Sequence, residues 1–131
     1  MNIEKHCVIA ALKDIVCSVE HDEDAIARYF APGYHQEVDG KELDYAGFIQ
    51  HMALLKKLTQ RIELSLLAIA AEGNTVFTHH QVTVEKKDGA RTMIEVLARF
   101  TLLNGQIVQC QELTHLISGD HGDRDLGSRR E

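Results

Sequence analysis

Two hydrophobic periods divide this chain. Up to about residue 58 the apolar positions recur every three or four residues, and from Arg61 onward they recur every second residue. Val8, Leu12, Ile15, Val16 and Val19 mark an amphipathic helix over roughly residues 3–20. Asp22 stands where it can cap a second, shorter helix through Ala25, Ile26, Tyr29 and Phe30, with acids in the first turn where the helix dipole favours them. Pro32-Gly33 is expected to stop that helix, residues 34–38 to run as a short strand, and Asp39-Gly40 to turn. Asp44 then caps a third helix, whose buried stripe is Phe48, Ile49, Met52 and Leu55, extending toward Leu58.

The second half reads as four strands near residues 61–71, 75–86, 92–103 and 106–117, separated by Gly73-Asn74, Asp88-Gly89 and Asn104-Gly105. Residues 64–71 also have the propensity for a helix. Asn104-Gly105 is the firmest hairpin cue, because both turn residues must tolerate positive φ. A two-residue turn there sets Leu103 opposite Gln106, hence Arg99 opposite Cys110 and Leu97 opposite Glu112. On that register Arg99 and Glu112 share one face as diagonal neighbours, while Ile94, Val96, Ala98, Phe100 and Ile107 look like core on the other. A β-bulge would turn part of the strand over and reverse this. Helices first and a meander after give an α+β fold, three N-terminal helices packed on a strongly curved antiparallel sheet. Residues 1–117 form one domain, and residues 118–131 are a polar tail expected to fray or lie on the surface.

Glu112 is the feature that invites chemistry. A carboxylate on an otherwise apolar strand is costly unless it is paired, hydrogen-bonded or facing a wet pocket. It reads either as a structural ion pair with Arg99 on a solvent or subunit face, or as a pocket carboxylate tuned by that arginine. His79 and His80 are adjacent on a strand and point to opposite faces, so they cannot chelate one ion together. If Val76, Thr78, His80 and Val82 form the inner face, His80 is a candidate pocket base or donor; otherwise it is a core or interface histidine satisfied by a neighbour. His51 lies near the apolar stripe of the third helix, and His35 and Tyr34 where the chain would enter the mouth of the fold. Tyr34 could donate to a ligand carbonyl, or serve as a core aromatic with its hydroxyl at the surface.

Composition narrows the partners. The 131 residues carry a formal charge of −6, and the basic clusters Lys56-Lys57-Arg61, Lys86-Lys87 and Arg129-Arg130 are short and dispersed, which disfavours nucleic acid and anionic membrane. Hydrophobic residues make up an ordinary 44%, with no stretch of membrane-spanning length and no signal-like start, so a cytoplasmic location is expected. Cys7, Cys17 and Cys110 are odd in number and widely spaced, which points to free thiols. His35-Gln36-Glu37 lacks the Pro-Cys-x-x-Cys half of a zinc deaminase, and no His-Glu-x-x-His is present, so neither metal nor cofactor is expected. Asp120, Asp123 and Asp125 miss calcium-loop spacing and read as a solvated turn.

The motifs Tyr29-Phe30-Ala31 with Tyr34, residues 39–49 from Asp39-Gly40-Lys41 to Phe48-Ile49, and Phe100 through Asn104-Gly105-Gln106-Ile107-Val108 to Glu112 cover almost the whole chain. In their order and spacing the chain resembles the nuclear-transport-factor-2-like superfamily, and more narrowly its SnoaL-like group of polyketide cyclase and ketosteroid isomerase relatives. The resemblance implies a cone whose pocket opens between the helices and the concave sheet. It also implies that a strand carboxylate at the position of Glu112 works as acid or base; as candidates beside it, His80 or Tyr34 would assist. Tyr29, Phe48, Met52, His51 and Arg99 are expected around the pocket. The chain departs from the family pattern in carrying Glu112 for the more usual Asp, and Cys110-Gln111 where an enzyme often carries His-Trp. Two functions follow as expectations. One is an isomerase, cyclase or dehydratase acting on a small apolar or partly polar organic molecule with an acidic C–H beside a carbonyl. The other is a non-catalytic ligand-binding or dimerisation module, with Gln109, Gln111, His79 and Gln81 on a sheet face buried against a second copy.

Overall fold

The computed structural model describes residues 2–123 and 126. The elements run α1 (Ile3–Ala11), a π-helical turn (Leu12–Val16), α2 (Glu23–Tyr29), β1 (Phe30–Val38), β2 (Lys41–Asp44), α3 (Tyr45–Leu58), β3 (Thr59–Glu72), β4 (Thr75–Lys86), β5 (Arg91–Leu103), β6 (Gln106–Ser118) and a 3₁₀ turn (His121–Asp123). The expected α+β architecture is present: three helices lie on one face of a curved, unclosed six-stranded sheet. Strand order is β2-β1-β6-β5-β4-β3, antiparallel throughout except where β1 runs parallel to β6. Among the described residues, no helix is long and apolar enough to cross a membrane.

The caps form as their side chains dictate. Asp22 accepts from the backbone N–H groups of Asp24 and Ala25, and Asp44 accepts from that of Gly47 at 2.8 Å. Asn104 and Gly105 hold φ of 53° and 80°, the mirror-image turn that a two-residue hairpin needs. Residues 64–71, ambiguous by propensity, belong to β3, because twelve residues of β4 lie alongside to pair with.

Three local expectations are corrected. The first helix ends at Val16, short of residue 20, by loosening into a π turn in which the Cys17 N–H donates to the Leu12 carbonyl at 3.1 Å. The Lys56 ammonium then donates to the Val16 carbonyl, a cation placed against the helix's negative end. The second helix ends at Tyr29, ahead of Pro32-Gly33, and those two residues fall inside β1. They lie where the pairing of β1 with β6 shifts between Phe30 and His35, so the missing proline N–H costs no ladder bond. The tail is not wholly a surface feature either. Asp123 and Leu126 are each 3% exposed, whereas the expectation for Asp125 lies outside the described residues.

The core fills the space between helices and sheet. Val8, Leu12 and Ile15 from the first helix, Ile26 from α2 and Phe48, Met52 and Leu55 from α3 meet Val76, Val84, Ile94, Val96, Phe100 and Ile107 from the strands. Phe30, Tyr34 and Phe48 form an aromatic cluster with ring centroids 4.7, 4.8 and 4.9 Å apart, which pins α3 to β1.

Candidate functional site

The position of Glu112 is decided by one extra residue. The β5–β6 hairpin begins as expected, with Leu103 opposite Gln106 and Leu102 opposite Ile107. The register then shifts, so that Thr101 faces Gln109, Phe100 faces Cys110 and Ala98 faces Glu112. Val108 is the residue without an opposite number, and the strand beyond it is turned over. The expected pairs, Arg99 with Cys110 and Leu97 with Glu112, are therefore displaced by one. Glu112 joins Cys110 and Thr114 on the inner face, beside Val96, Ala98 and Phe100. Arg99 points the other way and donates to the Gln111 side chain. The diagonal Arg99–Glu112 neighbourhood does not form.

The carboxyl now sits in an apolar hollow. Val38 of β1 lies on one side of Glu112 and Ala98 on the other, with Thr78 next across the sheet. Ala98 is the smallest inner side chain of that part of β5, and it is buried. The Asp39 N–H donates to the Glu112 carbonyl at 3.0 Å, and Asp39 accepts from the Thr114 N–H at 2.8 Å and from its hydroxyl. These bonds fix the Glu112 backbone and set an aspartate nearby. Burial, reinforced by the Asp39 charge, pushes the Glu112 carboxyl up to about 7, although its contact with the Cys110 thiol, 3.5 Å from Oε1, works in the opposite direction. The thiol itself is held well above its ordinary range by burial and by that carboxylate.

Glu112 borders a cavity of about 110 Å³ between sheet and helices. Its wall includes Phe48, His51, Met52 and Leu55 from α3, Leu12 and Val16 from the π turn, and Gln36, His80, Val96 and Thr114 from the strands. Five of the expected residues, Glu112, His80, His51, Phe48 and Met52, thus share one hollow. His80 is 3% exposed, and burial pushes it down to about 4, so its imidazole is neutral near pH 7. Its Nδ1 lies 3.1 Å from the Thr78 hydroxyl.

Tyr34 sits behind the wall. Its hydroxyl donates to Gln36 Oε1 at 2.8 Å, and burial, together with the nearby Cys110 and Glu112, holds it well above the usual phenol value. Tyr34 therefore reaches the cavity through Gln36. Tyr29 does not line it, and its hydroxyl bonds Asp14 on the first helix. Gln36, Thr114 and Thr78 were not singled out from sequence. Alternation along β1 and β4 would have found the first and last, while Thr114 needed the bulge.

The outer face of the same strands differs in kind. Phe77, Leu97 and Leu113 are 52, 53 and 68% exposed there, around a shallow groove that Ala68, Ala70 and Arg99 also line. His79 meets Glu95 at 2.7 Å on this face. No group of three or more His, Cys, Asp or Glu side chains among the described residues could hold a metal.

A family model described as a SnoaL-like domain matches residues 13–110. An uncharacterized protein of Schizosaccharomyces pombe (strain 972 / ATCC 24843), C11D3.04c, is 32% identical over 107 residues, spanning 82% of each chain. Among solved structures, a candidate SnoaL-like polyketide cyclase from Jannaschia sp. CCS1 superposes with a TM-score of 0.70 at 18% identity, covering 86% of this chain and 85% of the other. An M. tuberculosis LEH-like epoxide hydrolase reaches 0.71 at 15% identity, covering 86% and 83%. At these identities the structural likenesses establish the fold alone.

Proposed function

This chain belongs to the SnoaL-like domain family, with the cone fold of the nuclear-transport-factor-2-like superfamily, and on that footing we propose that it binds a small organic molecule in the cavity and moves a proton on it with Glu112. The reaction class is isomerisation, cyclisation or dehydration beside a carbonyl. One observation carries the reading: the carboxyl faces an apolar hollow that balances its protonation near neutrality, the condition under which an acid–base catalyst works best. Neutral His80 is the partner. With the Thr78 hydroxyl donating to Nδ1, its Nε2–H is free to donate to the carbonyl oxygen on which negative charge develops. Gln36, oriented by Tyr34, presents a second polar group to the same space.

The test is proton exchange at carbon. Small cyclic ketones in D₂O should lose their α-protons faster with the protein present, and Glu112→Gln should remove roughly 10²–10⁴-fold of that acceleration. Equal exchange by the variant would rule Glu112 out as the base.

The exposed apolar outer face favours a second element of the reading: two copies pair through their sheets, with Phe77, Leu97 and Leu113 at the centre of contact. Sedimentation should then give a dimer that Leu97→Arg converts to a monomer with the cavity intact. Three free cysteines favour a reducing compartment, hence the cytoplasm.

A further inference from the structure

A piece of chain that follows the last strand contributes Leu126 to the cavity wall. Gly119 crosses Thr92 at φ +123°, so close that a Cβ placed there would lie 2.7 Å from the Thr92 hydroxyl oxygen and 3.0 Å from its Cα. Only glycine permits that crossing, on both counts. The next residues form a turn in which the Asp123 N–H donates to the Asp120 carbonyl at 2.9 Å and the Leu126 N–H to the Asp123 carbonyl at 3.0 Å. Asp123 is clamped from two strands: the Thr92 hydroxyl donates to Oδ2 at 2.6 Å, and Lys86 Nζ lies 2.7 Å from the same oxygen. The clamp delivers Leu126 into the cavity wall beside Leu12, Val16 and Leu55.

The size of the hollow gives this arrangement a consequence. A cavity of about 110 Å³ is smaller than the roughly 150 Å³ apolar void known to hold one benzene, and far below the roughly 300–1,000 Å³ of ordinary ligand sites. Among the described residues that line the cavity, Leu126 alone is not carried by a helix or strand, so it can withdraw without disturbing the sheet. We propose that residues 119–123 with Leu126 are a latch setting the size of ligand the cavity accepts: seated, they admit one small ring at most, and released, they admit fused rings. The inference rests on the reading that the cavity takes an organic ligand.

Phenol and naphthol serve as one-ring and two-ring probes, followed by calorimetry on the full chain. Gly119→Ala and Asp123→Ala each release the latch without altering the cavity lining, and hydrogen exchange at the Leu126 amide, bonded to the Asp123 carbonyl, reports release independently of any ligand. Both variants should exchange there several-fold faster, bind naphthol about tenfold more tightly, and leave phenol affinity within about threefold. Leu126→Ala keeps the anchor and should favour naphthol without faster exchange, which covers the case in which an anchor variant fails to fold. Unchanged exchange, or faster exchange with no gain for naphthol while phenol binds, overturns the latch and leaves the cavity reading standing. Binding of neither probe by any variant overturns the cavity reading itself, and the gate with it.

Discussion

The two faces of strands β4, β5 and β6 are made from alternate residues of the same segments, yet they present opposite chemistries. The inner face sets His80, Val96, Glu112 and Thr114 around a hollow in which a carboxyl is driven toward neutrality and an imidazole is kept uncharged, with Thr78 and Ala98 beside them in the sheet. The outer face carries Phe77, His79, Leu97, Arg99, Gln111 and Leu113, where charges pair within reach of water and bulky apolar groups stand uncovered. Burial, rather than residue type, separates them. Glu95 and Glu112 are both strand glutamates; the outer one meets His79 within reach of water, and the inner one is raised by burial. Which glutamate carries the raised carboxyl is therefore a question of which way each side chain points.

The largest effect should come from attacking that choice directly. Inserting one alanine between Thr101 and Leu102 gives Val108 an opposite number and forces β5 and β6 into strict alternation through the hairpin. Either Val96, Ala98, Phe100, Cys110 and Glu112 turn outward together, or the hairpin must break its Asn104-Gly105 turn to keep them in. Both outcomes sacrifice buried contacts, and the loss should exceed about 4 kcal/mol in urea denaturation, enough to leave many domains unfolded. An insertion variant that stays folded within about 1 kcal/mol would mean the bulge is not what orients Glu112.

That bulge also marks how much could be read before the fold was known. The helix caps at Asp22 and Asp44, the Asn104-Gly105 turn and the four long strands depend on neighbours in sequence, and their positions were legible to within a few residues. Glu112, His80, His51, Phe48 and Met52 were likewise recognisable as a set, because period and residue type mark them. The face of Glu112 was not, since a bulge answers to the curvature of a whole sheet and leaves no mark in β6 alone. For the same reason the π turn, the proline inside β1 and the burial of Asp123 were hidden. Asp123 depends on Lys86 and Thr92, both more than thirty residues away, as its bonded separation of 31 from Thr92 shows.

Next in size is an opposition in pH dependence. Glu112 is raised from 4.5 to about 7 on folding, so between those values the folded state holds the extra proton, and stability falls as pH rises through the window. His80 is lowered from 6.5 to about 4, so there the unfolded state holds the extra proton, and stability rises with pH across that window. In the unaltered protein the two slopes largely cancel between 4.5 and 6.5. Glu112→Gln should unmask the histidine, giving a protein that weakens on acidification below pH 6.5. His80→Gln should unmask the carboxyl, giving one that weakens as pH climbs from 4.5 to 7. Each limb is on the order of 3 kcal/mol at most, measured by urea titration at several pH values. Parallel rather than opposed slopes in the two variants would separate the residues from a common hollow.

The smallest expected effect is the one that tests the outer face as a control. Arg99 was expected beside Glu112, and had it stood there its removal would shift the carboxyl's titration and cost a buried partner. In the fold it bonds Gln111 on the opposite face, and burial and Asp39, without any arginine, account for the rise at Glu112. Arg99→Ala should therefore change the stability of the isolated chain by no more than about 0.5 kcal/mol. The pH midpoint of any Glu112-dependent exchange should stay where it was, read as the inflection of the rate against pH in D₂O. Should dimerisation cover that face, the same substitution will alter the association constant instead, and the midpoint will still hold. A midpoint displaced by Arg99→Ala would place a positive charge within reach of Glu112 and return the hairpin to unbroken alternation.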